Sequence, residues 1–148
     1  MGNQEKKVIM IVDDNVELLE ELSELLSGRG YQTITFSNGT DALEHARNSP
    51  PDMLLLDLKM DGKSGFTVAQ ELGHGKDTSG IPILGMTGYY TGHMYATLMS
   101  IIGFRGCMTK PIDPERLFAR ISELLEDENE TFRVNGEDEG MNSREREL

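Results

Sequence analysis

Along this chain, short dense apolar runs alternate with longer stretches in which apolar residues return every third or fourth position. The runs are Val8–Val12, Tyr31–Phe36, Met53–Leu56, Ile81–Met86 and Phe104–Met108. Each has the length of a β-strand. Three are almost unbroken in apolar residues, the texture of parallel strands covered on both faces. The stretches between them predict helices. Over 16–27, Leu18, Leu19, Leu22, Leu25 and Leu26 make one stripe, and Glu17, Glu20, Glu21 and Glu24 make the opposite one. Gly28 and Gly30 then stop the helix. Ala42, Leu43 and Ala46 mark a helix over 39–48 that ends before Pro50-Pro51. Phe66, Val68, Ala69 and Leu72 mark 64–72, and Met94, Leu98, Met99, Ile101 and Ile102 mark 91–102. The last helix has the fullest start signal. Asp113 is an N-cap, Pro114 fills the first helical position, and Ile112 can staple onto Leu117. Phe118, Ile121, Leu124 and Leu125 continue its buried face.

Five such strand–helix pairs imply an α/β fold, a doubly wound parallel sheet with helices on both sides. Ligands of such sheets bind at the carboxyl ends of the strands. There the first strand ends in Asp13-Asp14, the third in Asp57, the fourth in Thr87 and the fifth in Lys110-Pro111. A sheet would gather these side chains at one edge. Carboxylates crowded together repel, and the pKa of at least one would rise unless a cation compensates. Mg²⁺ suits the set, since it prefers oxygen ligands, keeps several waters and takes one or two carboxylates. A cation, a Lys and a hydroxyl around one carboxylate are what a transferring phosphoryl group needs. The most crowded carboxylate would then be the nucleophile.

The runs Val8-Ile9-Met10-Ile11-Val12-Asp13-Asp14-Asn15, Leu54-Leu55-Leu56-Asp57-Leu58-Lys59-Met60, Met86-Thr87-Gly88 and Lys110-Pro111 together resemble the receiver domain of two-component response regulators. The resemblance covers residues 6–126. It implies a five-stranded, flavodoxin-like sheet of order 2-1-3-4-5. It implies Asp57 as phosphoacceptor, and Mg²⁺ held by Asp14, Asp57 and the backbone carbonyl of Lys59, with Asp13 acting largely through metal-bound water. Lys110 would contact the phosphoryl oxygens, Thr87 would move inward to bond them, and Pro111 would follow a cis peptide bond. The donor would be a histidine kinase or a histidine phosphotransfer protein. The output would be a shift of the surface from the fourth helix to the fifth, read by a downstream protein or by a second copy in a phosphorylation-dependent homodimer. The domain would be regulatory, not an enzyme in its own right.

Several positions depart from the family pattern. Asp61 stands where Pro is usual, followed by Gly62-Lys63-Ser64-Gly65. Cys107 replaces the aromatic whose rotamer follows the Thr, with Tyr89 or Phe104 as substitutes. The two positions that tune dephosphorylation are Lys59 and Tyr89. A cation and a bulky ring orient an attacking water poorly, which predicts a long-lived phosphoryl group. Three other readings compete. A degenerate receiver would only bind partners. An aspartate-nucleophile phosphatase needs an acid two residues past Asp57, where Lys59 stands. A flavin carrier of the same topology needs a Ser/Thr-rich loop where Asp13-Asp14-Asn15 stand.

Charge narrows the partners. The 148 residues carry 26 acids against 14 bases, a net charge of −12. That opposes direct nucleic-acid binding, which needs Lys and Arg to displace counterions, and opposes anionic membranes. No apolar run approaches the roughly 18 residues of a spanning helix, and the polar N-terminus is unlike a secretory signal. With one cysteine there is no internal disulfide, and the expected compartment is the cytoplasm. Residues 126–148 hold nine acids and three bases, −6 of the total, with no periodicity. Residues 127–148 are accordingly expected to be a disordered acidic tail on a receiver, free-standing or excised. His45, His74 and His93 lack metal-ligand spacing, Cys107 reads as an inert buried thiol, and the Met residues read as core filling.

Overall fold

A computed structural model describes residues 5–88, 93–126 and 133–134. Tyr89 and nearly all of the acidic tail lie outside that set. The elements are β1 (Val8–Val12), α1 (Val16–Gly28), β2 (Gln32–Phe36), α2 (Gly39–Asn48), β3 (Met53–Asp57), α3 (Gly65–Gly73), β4 (Ile83–Thr87), α4 (His93–Ile102), β5 (Gly106–Thr109), α5 (Pro114–Glu126) and β6 (Arg133–Val134). All pairings are parallel, and the order is β2-β1-β3-β4-β5-β6. The five expected strands keep the order 2-1-3-4-5. A sixth, of two residues, extends the sheet beyond β5. No apolar run in the sequence announces it.

Alternation along the strands builds two cores. Met10, Val12, Leu54, Leu56 and Cys107 point to one face, where they meet Leu43 of α2, Val68 and Leu72 of α3, and Met99 of α4. Ile9, Ile11, Leu55, Leu84, Met86 and Met108 point to the other, where they meet Leu22 and Leu26 of α1 and Leu117, Ile121 and Leu124 of α5. Burial on both faces is why β1, β3 and β4 need unbroken apolar sequence. Strand β2 lies at the sheet edge, and its alternating Gln-Thr-Ile-Thr-Phe is only half-buried.

Helix starts are capped by side chains. Asn15 Oδ1 accepts from the Leu18 amide at 3.2 Å, Asn38 Oδ1 from Asp41 at 2.8 Å, Ser64 Oγ from Thr67 at 3.3 Å, and Asp113 Oδ2 from Arg116 at 3.0 Å. Each removes an otherwise unpaired amide of a first turn. Helix α1 ends at Gly28, and Gly30 turns the chain into β2 with φ +95°.

Around α4 the structure departs from the sequence pattern. Among the residues of α4 whose side chains are described, Met99 (1% exposed) and Ile102 pack on the core, while Leu98 (43%) and Ile101 (76%) face outward. At about 100° per residue, Ile101 lies nearly opposite Met99 on the helix, so one stripe cannot hold both. Phe104 and Arg105 precede β5 instead of opening it. The Phe104 ring is buried over Gly85, where a Cβ would come within 2.8 Å of Met99 Cε and 3.2 Å of the Phe104 ring. Phe66 meets the same ring edge-on, with centroids 6.1 Å apart.

Candidate functional site

Register brings the strand-end residues together. Val12 pairs with Leu56 across β1 and β3, so Asp13 and Asp57 emerge side by side. Asp57 pairs with Met86, and Thr87 with Thr109, so β4 and β5 end level with them. The Lys110 amide donates to the Thr87 carbonyl at 2.7 Å, and the Lys110–Pro111 bond is cis.

One carboxylate oxygen from each of Asp13, Asp14 and Asp57 lies within 4.8 Å of the others. Asp13 (0% exposed) and Asp57 (4%) are buried, while Asp14 opens to solvent. Lys110 Nζ donates to Asp13 Oδ2 at 2.7 Å and to Asp57 Oδ1 at 3.3 Å. The Asn15 amide donates to Asp13 Oδ1 at 2.9 Å. The cluster lies in a cleft of about 550 Å³ that Asn15, Lys59, Met60, Asp61, Gly88 and Lys110 also line. Asp61, standing where Pro is usual in the family, is thus a fourth carboxylate in the same cleft. Thr87 is buried one residue before the lining Gly88.

The electrostatics follow from this crowding. Burial pushes the Asp57 carboxyl up to about 6 and the neighbouring Asp13 charge adds to it, while Lys110 and the Lys59 amide pull the other way. Burial acts to lower the Lys110 ammonium. The Asp13 hydrogen bond and charge, with those of Asp57, outweigh it and hold the ammonium above its ordinary range. Two lysines, Lys59 and Lys110, against four carboxylates leave the cleft short of positive charge. The donor set is all oxygen, partly buried and open on one side, which fits a divalent cation that keeps several waters. The pattern at the strand ends thus assembles as expected for Asp13, Asp14, Asp57 and Lys110.

The switch-aromatic position is filled differently. Cys107 is buried, and burial pushes its thiol up to about 12, so it stays neutral. Phe104 is locked in the core by Gly85 and Phe66 and is no substitute rotor. One residue of the site was missed in the sequence. Gly65, first in α3, packs on the backbone at Asp57 so tightly that a Cβ would collide with the Asp57 carbonyl and come within 2.8 Å of Leu58 Cα. Its presence in a Gly-rich loop was the available signal.

Residues 9–122 match the response regulator receiver domain family. The chain is 33% identical over 119 residues to protein PilH of Pseudomonas aeruginosa, covering 79% of this chain and 96% of PilH. It is 35% identical over 117 residues to the DNA-binding response regulator MtrA of Mycobacterium tuberculosis, covering 79% of this chain but only 50% of MtrA. In structure it resembles the chemotaxis protein CheY4 of Vibrio cholerae, with a TM-score of 0.76 at 24% identity over 80% of this chain and 98% of that one, a likeness of fold. The fold and cleft are those of a regulatory signalling domain. The chain belongs to the response regulator receiver domain family of two-component signalling.

Proposed function

We propose that the chain is a phosphorylation-controlled switch of a two-component or phosphorelay system, with Asp57 as phosphoacceptor. The observation that carries this reading is the convergence of three carboxylates within 4.8 Å of one another and a lysine bonded to two of them. Asp13, Asp14 and Asp57, with the backbone carbonyl of Lys59, would hold Mg²⁺, as receiver domains typically do. Bound there, the ion would draw negative charge from the phosphoryl oxygens.

Every other part of the reaction belongs to the chain. With its carboxyl near 6, Asp57 is mostly ionised at neutral pH and has a lone pair to give. Its oxygen bonds phosphorus while the P–N bond of a donor phosphohistidine breaks, leaving that electron pair on the imidazole. Lys110, already oriented on Asp57, offsets charge on the phosphoryl oxygens. The Thr87 hydroxyl donates to one of them. The donor is a histidine kinase or histidine phosphotransfer protein.

The phosphoryl group carries a charge of about −1.5 to −2 beside Lys110 and Thr87, in place of the single charge of the Asp57 carboxylate. Because the Lys110 amide is bonded to the Thr87 carbonyl, a pull on one is felt by the other. The surface of α4, β5 and α5 then shifts between two populations. Leu98 and Ile101 give that surface an exposed apolar spot for a downstream protein or a second copy of the chain. The net charge of −12 favours a protein partner over nucleic acid or an anionic membrane, and the cytoplasm is the fitting compartment. Lys59 and Tyr89 make the phosphoryl group long-lived, so Lys59→Glu should speed its decay.

Intact-mass spectrometry after incubation with acetyl phosphate and Mg²⁺ tests this. One added phosphoryl group, absent in Asp57→Asn and absent with a chelator, is the expected result. No adduct from any donor would leave a receiver that acts by binding alone.

A further inference from the structure

Strand β6 runs parallel to β5, with Gly106 opposite Arg133 and Cys107 opposite Val134. On its other side β5 pairs with β4 from Gly106 to Thr109. Without β6, β5 would be an edge strand, whose unpaired amides and carbonyls are a template for another extended chain. The register of β6 covers only the first half of that edge.

Proximity along the chain favours this segment itself as the occupant. Only residues 127–132 separate the end of α5 from the paired strand, so its local concentration at the edge is high. A two-residue pairing offers few backbone bonds against the entropy of ordering the segment, so such a cover opens readily.

We propose that residues 133–134 are a self-supplied cover of the β5 edge, closing it against an extended strand of a second copy of the chain. The competitor is identified by fit, because the strand that already matches this edge in register is the same segment of another molecule. Opening the cover would expose a strand-accepting surface on the α5 side of the sheet. The inference does not require Asp57 chemistry and stands whether or not the phosphoacceptor reading does.

The test uses the full chain, without phosphodonor, and the double variant Arg133→Pro/Val134→Pro. Proline has no N–H and cannot complete the ladder. Amide exchange in a peptide spanning residues 106–109 should quicken by about tenfold or more in the variant, with β1 unchanged. A peptide with the natural sequence of residues 127–148 should bind the variant and slow exchange over residues 106–109 again, and should bind the parent clearly more weakly, because the parent's edge is already covered. Equal exchange in both proteins would overturn the pairing. Protection in the parent that grows with its concentration would show that another copy supplies the strand, and would overturn the cover. A variant that captures the peptide no better than the parent would overturn the closure against the same segment of a second copy.

Discussion

Gly65 has no side chain because the Asp57 carbonyl occupies the space a Cβ would take. The amide of Gly65 also donates to the Leu58 carbonyl at 3.1 Å, so the start of α3 is tied to the end of β3. Gly65→Ala must move either α3 or Asp57. A shift of that kind in a packed region costs about 1–3 kcal/mol. Thermal melting should fall accordingly, and the Asp57 phosphorylation rate should fall further than stability alone explains. Gly73→Ala, at the far end of α3 with nothing within 4 Å of a new Cβ, is the neutral comparison. Equal effects of the two substitutions would remove the positioning role of Gly65.

Lys110 is bonded to both buried carboxylates of the cleft. Lys110→Met keeps much of the volume and removes the charge. The Asp57 carboxyl should rise above 6, since the two contributions of Lys110 that lower it are gone. Phosphorylation from acetyl phosphate should slow by about tenfold or more, the order expected when one preorganised charge at a developing anion is lost. The rate is read by intact mass against time.

In the presence of a chelator, stability should depend on pH through Asp57. Its carboxyl ionises at an ordinary 3.8 when exposed and at about 6 in the fold. Between those values the folded chain holds the extra proton, so stability declines as pH rises from about 4 to about 6 and stays low above that. Asp57→Asn removes the buried charge and should stabilise the metal-free protein at neutral pH by on the order of 2 kcal/mol, with the gain disappearing below about pH 4. Denaturant titration at several pH values measures it. Mg²⁺ should reverse the preference. At ten times its dissociation constant it should stabilise the parent by about 1.4 kcal/mol, and Asp57→Asn by clearly less.

Phe104→Ala should empty the space over Gly85 and cost about 3–5 kcal/mol, as large-to-small changes of buried aromatics do. Adding Gly85→Leu should restore part of that loss, because the new side chain would enter the space the ring left. Urea denaturation of the two single variants and the double shows whether the positions are coupled.

The strands nearest the site and the Asp113 cap were legible in the sequence because their physics is local. An unbroken run such as Leu54-Leu55-Leu56 has no amphipathic alternative, and Asp113-Pro114 announces a helix start with chemistry of its own. The acidic pair after β1 and the single acid that ends β3 could be matched because they sit immediately past the apolar runs. Helix α4 was less legible: Leu98 and Ile101 have the composition of a buried stripe and face outward. What decides between burial and exposure there is which side of the helix the sheet meets, and neighbouring sequence does not carry that.

The chain's own sequence therefore determined the alternation of strands and helices, the residues at the strand ends and the family they resemble, since each depends on side chains within a few positions of one another. Tertiary structure alone decided that Lys110 bridges Asp13 and Asp57, that Gly65 presses on the Asp57 carbonyl, that Phe104 fills the space at Gly85, and that residues 133–134 pair with the first half of β5. These contacts join residues distant in the chain, or backbone groups that every residue shares, and only the registered sheet sets their separations.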